Sequence, residues 1–291
     1  MLKQLCRELE FPSAAIENLM LLNQRITQNN RLNKMLWQSL ADYEAEGEAH
    51  IALLEQLSGE LGASVYEVHL VFLLHGALHL RQKYAQNGLP DALFVETMQD
   101  LRYKLIECHQ VYGVWGIFVL PWYRRCFRLE RFQLGRLQYE IRPWTGPGYG
   151  SWLQEGEMAF WCHIPSSGPC TPEMVLDSLK QAYDFYNIKG TFAVGCKSWM
   201  LYPPHFPLFK PGSNLDAFHR LFTVFDKKER ENEDLWRIFG FRDVVDLAAL
   251  PEETSLQRSF APWLRQGNKM GIGTGILLFD GKKIINGEGS I

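Results

Sequence analysis

The sequence predicts an α+β fold: a helical N-terminal domain over residues 1–130, followed by a mixed α/β C-terminal domain over residues 131–291. Three observations carry this reading. Apolar residues recur at helical spacing from the N-terminus to about residue 128, as in Ile16, Leu19, Met20 and Ile26. Near residue 132 the period drops to two, with Leu137, Tyr139 and Ile141 alternating with Arg136, Gln138 and Glu140. A run rich in Gly, Pro and Trp, residues 143–156, then separates this pattern from a second alternating one.

The helical half follows in order. Pro12-Ser13 opens a helix, and Met35, Leu36 and Leu40 continue the spacing over 33–43. Ile51, Leu54, Leu57 and Leu61 form the next stripe, which Gly62 stops. Ser64 caps a long helix to about residue 85 that is apolar nearly all round, as a central buried helix must be. Asn87-Gly88 ends it, and Pro90 opens a helix reaching Tyr112-Gly113. An aromatic-rich piece, 115–129, completes the half.

The second half begins with a strand over 135–141 and another over 157–164. In the latter, Met158, Phe160, Cys162 and Ile164 face one way, and Ala159, Trp161 and His163 the other. Thr171-Pro172 is an N-cap and first helical residue, opening a helix to about Tyr186. A third strand spans 191–200, and Ser213 or Asn214 caps a helix through 221. Residues 223–226 read as a strand, 235–239 and 256–266 as helices. Asp280-Gly281 between two apolar runs predicts a closing β-hairpin.

Composition narrows the function. A net charge of −3 with no broad basic field argues against a nucleic-acid partner. Charges recur through the first eight residues, so no signal-peptide apolar core is expected there. The most apolar window, 65–80, holds His69, His75 and His79 and falls short of the roughly 20 residues a membrane span needs. The expectation is a cytoplasmic protein acting on a small molecule. The six cysteines form no Cys-x-x-Cys pair and read as free thiols. His75 and His79 have zinc-compatible spacing, but no Glu follows His75, so no metal is expected. Gly271 to Gly275 precedes a strand instead of following one; it reads as a turn or close-approach segment and not as a dinucleotide loop.

Several stretches together resemble a bacterial family of acyltransferase-domain proteins. They are Phe132-Gln133-Leu134-Gly135-Arg136-Leu137-Gln138-Tyr139-Glu140, His163-Ile164-Pro165 with Thr171-Pro172-Glu173, and Cys196-Lys197-Ser198-Trp199-Met200-Leu201. Ser213-Asn214 with Phe218, and Leu256-Gln257-Arg258 ahead of Gly273-Thr274-Gly275, belong to the same set. The family joins a helical N-acyltransferase N-terminal domain to a GNAT-like C-terminal domain. The resemblance implies transfer of an acyl group from an acyl thioester, such as acyl-CoA, to an amine or similar acceptor. It makes 157–164 the central strand beside the thioester arm, and Ile164, Ser166, Ser167, Gly168 and Thr171 the contacts to that co-substrate. The chain departs from the usual pattern in this loop, which has one glycine and two prolines where an Arg or Gln and two glycines are expected. That departure leaves open a different acyl carrier, or a catalytically inactive binding or regulatory protein on the same fold.

Acyl transfer needs a proton acceptor for the amine, donors for the thioester oxygen and a proton for the leaving thiolate. Glu140 and His163 are the candidate bases, and Tyr202 the candidate proton donor. Arg136, Gln138, Cys196, Ser198, Trp199, Ser213 and Asn214 are candidate substrate contacts. A hydrolase using Cys196 or His163 is a third reading of the same residues.

Overall fold

A computed structural model describes residues 1–46, 50–230, 234–241 and 246–286. The chain divides into two compact units, 1–132 and 133–291.

The first unit is helical: α1 (Leu2–Glu8), α2 (Ser13–Gln28), α3 (Asn30–Glu46), α4 (Ile51–Leu61), α5 (Val65–Gln86), α6 (Asp91–Met98), α7 (Asp100–Tyr112) and the short α8 (Arg124–Phe127). Helix α5 is the axis on which the others pack. Ser64 and Glu67 close its N-terminus as a capping box, and residues 68–77 are buried on every face. The expected single helix from Pro90 to Tyr112 is broken at Gln99. The break puts Asp100 in the first turn of α7, where free amides favour a carboxylate, and lets it accept from Trp122 Nε1 at 2.9 Å. Among the described residues, no single helix is long and apolar enough to cross a membrane.

The second unit is built on six strands: β1 (Arg131–Leu134), β2 (Leu137–Pro143), β3 (Met158–His163), β4 (Phe192–Ser198), β5 (Thr223–Glu229) and β6 (Gly271–Phe279), in spatial order β1-β2-β3-β4-β6-β5. Strand β1, with only four residues, is too short for its alternation to show in the sequence. Strands β3 and β4 are parallel, joined by α9 (Pro172–Phe185); the pairs β2/β3, β4/β6 and β5/β6 are antiparallel. Helices α10 (Asn214–His219), α11 (Trp236–Phe239) and α12 (Ser255–Arg265) follow β4 and β5.

Each face of the sheet has its own cover. Helix α9 takes the face of Tyr139 and Cys162: Ser178 Oγ lies 3.0 Å from the Tyr139 hydroxyl and accepts from Leu137 N–H at 3.1 Å. The other face carries a core of Trp144, Leu153, Ala159, Trp161, Ile276 and Leu278, so the loop after β2 folds back over its own strand. Gly195 on β4 makes room for it, because a Cβ there would stand 2.7 Å from the Trp144 ring and 2.9 Å from Trp161. A separate aromatic core joins α11 and α12 around Phe209, Phe239 and Phe260.

Two expectations near the C-terminus are corrected. Residues 271–275 are not a turn but the first half of β6, and the close approach alone is retained: a Cβ on Gly273 would fall 1.8 Å from the Leu201 carbonyl oxygen. The hairpin at Asp280-Gly281 turns as expected, with Asp280 accepting from the Lys282 and Lys283 amides, but its return limb makes one isolated bridge, Phe279 to Ile284. The Asn286 side chain takes ladder positions that a return strand would use, accepting from Leu278 N–H and donating to Ile276 C=O.

Two stability predictions follow from the packing. Gly273→Ala drives a methyl into a backbone carbonyl, and should lower unfolding free energy by about 3 kcal/mol or more, read by urea melts. A midpoint equal to wild type would contradict the close approach. His205 is fully buried, its Nδ1 2.8 Å from the Trp199 carbonyl and its ring enclosed by Tyr202, Phe260 and Trp263. Burial lowers its pKa from 6.5 to about 4. Between those values the unfolded chain binds the proton and the folded chain does not. The stability is therefore fully present above about pH 6.5 and is lost as pH falls toward 4, on the order of 3 kcal/mol. His205→Phe should remove that part of the acid loss; an unchanged pH slope would show that the imidazole is not buried neutral.

Candidate functional site

The two strands at the centre of the sheet stop pairing before they end. The last rung between β3 and β4 is Cys162 with Cys196. Beyond it, His163 pairs only with Gln138 of β2, while Lys197 and Ser198 pair only with Thr274 and Gly273 of β6. Among the described residues, no strand pairs with the backbone positions between these two ends, an arrangement to which an extended ligand can add its own hydrogen bonds.

Polar side chains gather on the β2/β3 side of this opening. Strand alternation sends Gln138, Glu140 and Arg142 to one face of β2, and the antiparallel register sets them opposite His163, Trp161 and Ala159. Glu140 is 3% exposed, and its Oε1 lies 3.2 Å from His163 Nε2 and 3.1 Å from Arg142 Nε. The Arg142 guanidinium stacks on the Trp161 ring, 3.9 Å from its centre. A buried carboxylate thus stands between an imidazole and a guanidinium, the guanidinium fixed by an indole face. The imidazole remains partly open, with 19% of its side chain exposed. Nε2 faces the carboxylate, and Nδ1 is the other ring nitrogen. An anchored imidazole of this kind takes a proton from a nucleophile while the carboxylate stabilises the cation formed.

The matching family descriptions fit this architecture. The GNAT-like C-terminal domain matches residues 131–277, and the N-acyltransferase N-terminal domain matches residues 1–129. The chain belongs to this N-acyltransferase family. Three similar solved structures carry the same fold. One is an acyltransferase mutant in complex with octanoyl-CoA, 22% identical, with a TM-score of 0.74, covering 94% of this chain and 86% of that one. A second is an acyltransferase in complex with decanoyl-CoA and teicoplanin, 22% identical with a TM-score of 0.73 over the same shares. A third is an acyltransferase in complex with CoA and 10C-teicoplanin, 21% identical with a TM-score of 0.73, again over 94% and 86% of the two chains. No curated protein matches the chain.

Within this N-acyltransferase fold, the residues singled out from sequence fall into separate groups. Gln138, Glu140 and His163 come together on one face. Arg136 is buried beside them in sequence but turns to the loop after β3, its Nε and a terminal nitrogen donating to the Pro169 and Gly168 carbonyls at 2.7 and 2.9 Å. Ile164 is half-buried at the start of that loop, and Ser166, Ser167 and Gly168 are exposed on it. Thr171 caps α9 by accepting from Met174 N–H at 3.3 Å. Glu173 brings a carboxylate to the same helix end, where hydrogen bonds from the Thr171 hydroxyl and its own amide lower its pKa. The N-terminus of α9 therefore already carries an anion of its own, and Pro172 removes another donor.

Cys196 lies on the opposite face, against Cys162 and toward α9. The hydrogen bond between the two thiols, then burial, pushes the Cys162 thiol well above its ordinary pKa. Ser198 accepts from Met200 N–H at 3.2 Å, and Trp199 packs into the aromatic core with His205, Phe209 and Phe260. Tyr202 is buried over Gly271, with burial and Glu229 raising its pKa, which makes it a weaker acid. Ser213 caps α10 by accepting from Asp216 N–H, and Asn214 is the first residue of that helix. Arg142 and Trp161 were missed. The signal for them was present: Arg142 continues the Gln138, Glu140 alternation, and Trp161 shares the face of His163. Among the described residues, no three His, Cys, Asp or Glu side chains converge as metal ligands.

All six cysteines are buried free thiols. A thiol titration of the native protein is expected to show no fast-reacting cysteine, and six once the chain is denatured. Rapid native labelling at Cys196 would revive the nucleophile reading of that residue.

Proposed function

We propose that this protein transfers an acyl group from an acyl-CoA-type thioester to an amine of a small-molecule acceptor. The observation that carries the reading is the Glu140–His163 pair at the end of β3, where β3 and β4 part. Membership of the N-acyltransferase family supports the reaction class. The related structures, described as complexes with acyl-CoA, support the donor.

The chemistry follows from the geometry. The thioester arm extends along the free edge beyond the last β3/β4 rung. The acceptor amine arrives neutral, since an ammonium has no lone pair to attack with. Its nitrogen bonds to the carbonyl carbon, and the carbonyl π pair moves onto oxygen. His163 takes the amine proton at Nδ1 while Glu140 holds the ring and balances its charge. Collapse of the intermediate breaks the C–S bond, and the proton passes to the departing thiolate. Arg142 and the Trp161 face keep the Glu140 carboxylate in place through the cycle. A thioester of coenzyme A and the six free thiols both suit a reducing cytoplasm.

A second reading is favoured by the Glu173 carboxylate at the N-terminus of α9. An anion there opposes a bound phosphate, as expected of a protein that keeps the fold and binds a ligand without turning it over.

An acyl-CoA panel separates the two. Under the transfer reading, one chain length raises the melting temperature by mass action and is consumed with an amine acceptor. His163→Ala and Glu140→Gln should each lower kcat about 10²- to 10⁴-fold with the melting rise retained. Melting rises without turnover in wild type would select the binding protein. Full rates in both variants would remove this pair from the mechanism.

A further inference from the structure

Gln138 is a residue whose burial is costly. Its side chain is fully buried, and among the described residues neither amide atom, Nε2 nor Oε1, has a hydrogen-bond partner. A buried carboxamide without partners costs free energy on folding, and nearly all such groups in folded proteins are satisfied. An apolar side chain of the same size would fill this position at no such cost. The residue also sits at a telling place. It is the register partner of His163 across the β2/β3 pair and stands two residues from Glu140 on the same face of β2. Directly opposed residues in such a pair hold their Cβ atoms about 5 Å apart, so the amide is within reach of the imidazole's reaction zone. The same face holds a second buried donor without an acceptor, Trp161 Nε1, on the register partner of Glu140.

We propose that Gln138 is a catalytic residue: its Nε2–H₂ group is the side-chain donor for the thioester carbonyl oxygen, and it is left unpaired in the free protein because its partner is the oxyanion of the transition state. The inference rests on the transfer reading above and adds the group that stabilises the developing charge. As the amine nitrogen bonds to the carbonyl carbon, the π electron pair localises on oxygen. Gln138 donates to that oxygen while His163, opposite, receives the proton. When the C–S bond breaks, the oxygen reverts to a neutral amide carbonyl and the hydrogen bond weakens. A neutral donor suits this role. An Arg or Lys in the same buried position would itself need a counter-charge, and the nearest carboxylate, Glu140, is already committed to His163 and Arg142. An amide fixed beforehand in a site closed to water stabilises the intermediate without reorganising.

The test is Gln138→Met, which keeps the length of the side chain and removes both polar atoms. Three quantities are measured: melting temperature, acyl-CoA binding by thermal shift, and kcat with its pH profile. The expected result is a melting temperature equal to or above wild type, an unchanged thermal shift with acyl-CoA, and a kcat lower by about 10- to 1000-fold on a pH profile of unaltered shape. A purely structural residue would lower the melting temperature and leave the turnover of the folded fraction intact. A fall in melting temperature would show that the amide is satisfied inside the fold, and would overturn the proposal. So would an unchanged kcat in a variant whose wild-type parent is active. If the wild type itself turns over no thioester, the transfer reading fails and this assignment with it. Loss of only the Gln138→Met effect, with wild-type activity present, sinks the assignment alone.

Discussion

A buried carboxylate is the constraint on which the rest of the second unit depends. Glu140 lies in the sheet at 3% exposure, and an isolated charge there is too costly to keep. Arg142 and His163 stabilise it, and both depend on the β2/β3 register: Arg142 follows two residues along the same face, and His163 comes from the facing strand. A slip of one residue would turn Glu140 toward α9, into the place that Tyr139 holds beside Cys162 and Ser178. The ion pairs therefore specify the register as much as the apolar pattern does. They also decide which side of the sheet holds the chemistry.

The two faces divide the labour accordingly. The α9 face is closed by aliphatic and aromatic packing and by the Ser178 bonds to β1 and β2. The opposite face is covered by a loop that supplies Trp144 and Leu153, and Gly195 admits the indoles against the β4 backbone. Trp161 belongs both to this core and to the site, since its ring packs against Trp144 and also under Arg142. The site thus stands on a rigid aromatic platform, while His163 retains access at the point where β3 leaves β4. Packing of that kind would hold the proposed donor, Gln138, in position ahead of the reaction.

Local signals were readable where local physics decides. Ser64, Thr171-Pro172 and Ser213 cap their helices because a side-chain oxygen reaches its own helix amides within three residues. The alternation through β2 and β3 was equally plain, and the strand register then set Glu140 and His163 on one face. Failures came where distant chain competes. Asn286 occupies ladder positions of β6, so the return limb of the hairpin stays irregular. The glycines of 271–275 were ambiguous alone; the Tyr202 ring over Gly271 and the Leu201 carbonyl on Gly273 explain why these alternate positions of the strand carry no side chain.

The sequence by itself determined the division into a helical and a mixed half, most element boundaries, the family, and a short list of polar residues near the central strand. All of these follow from periodicity, caps and residue patterns that act over a few positions. Only the tertiary structure decided which members of the list meet. Cys196 and His163 lie near neighbouring strand ends, yet the pleat sends them to opposite faces; Trp199 is drawn into a separate aromatic core by α12, and Tyr202 packs on Gly271 and His205. Pairing across strands, and the burial that makes an amide or a carboxylate costly, arise from residues far apart in the chain.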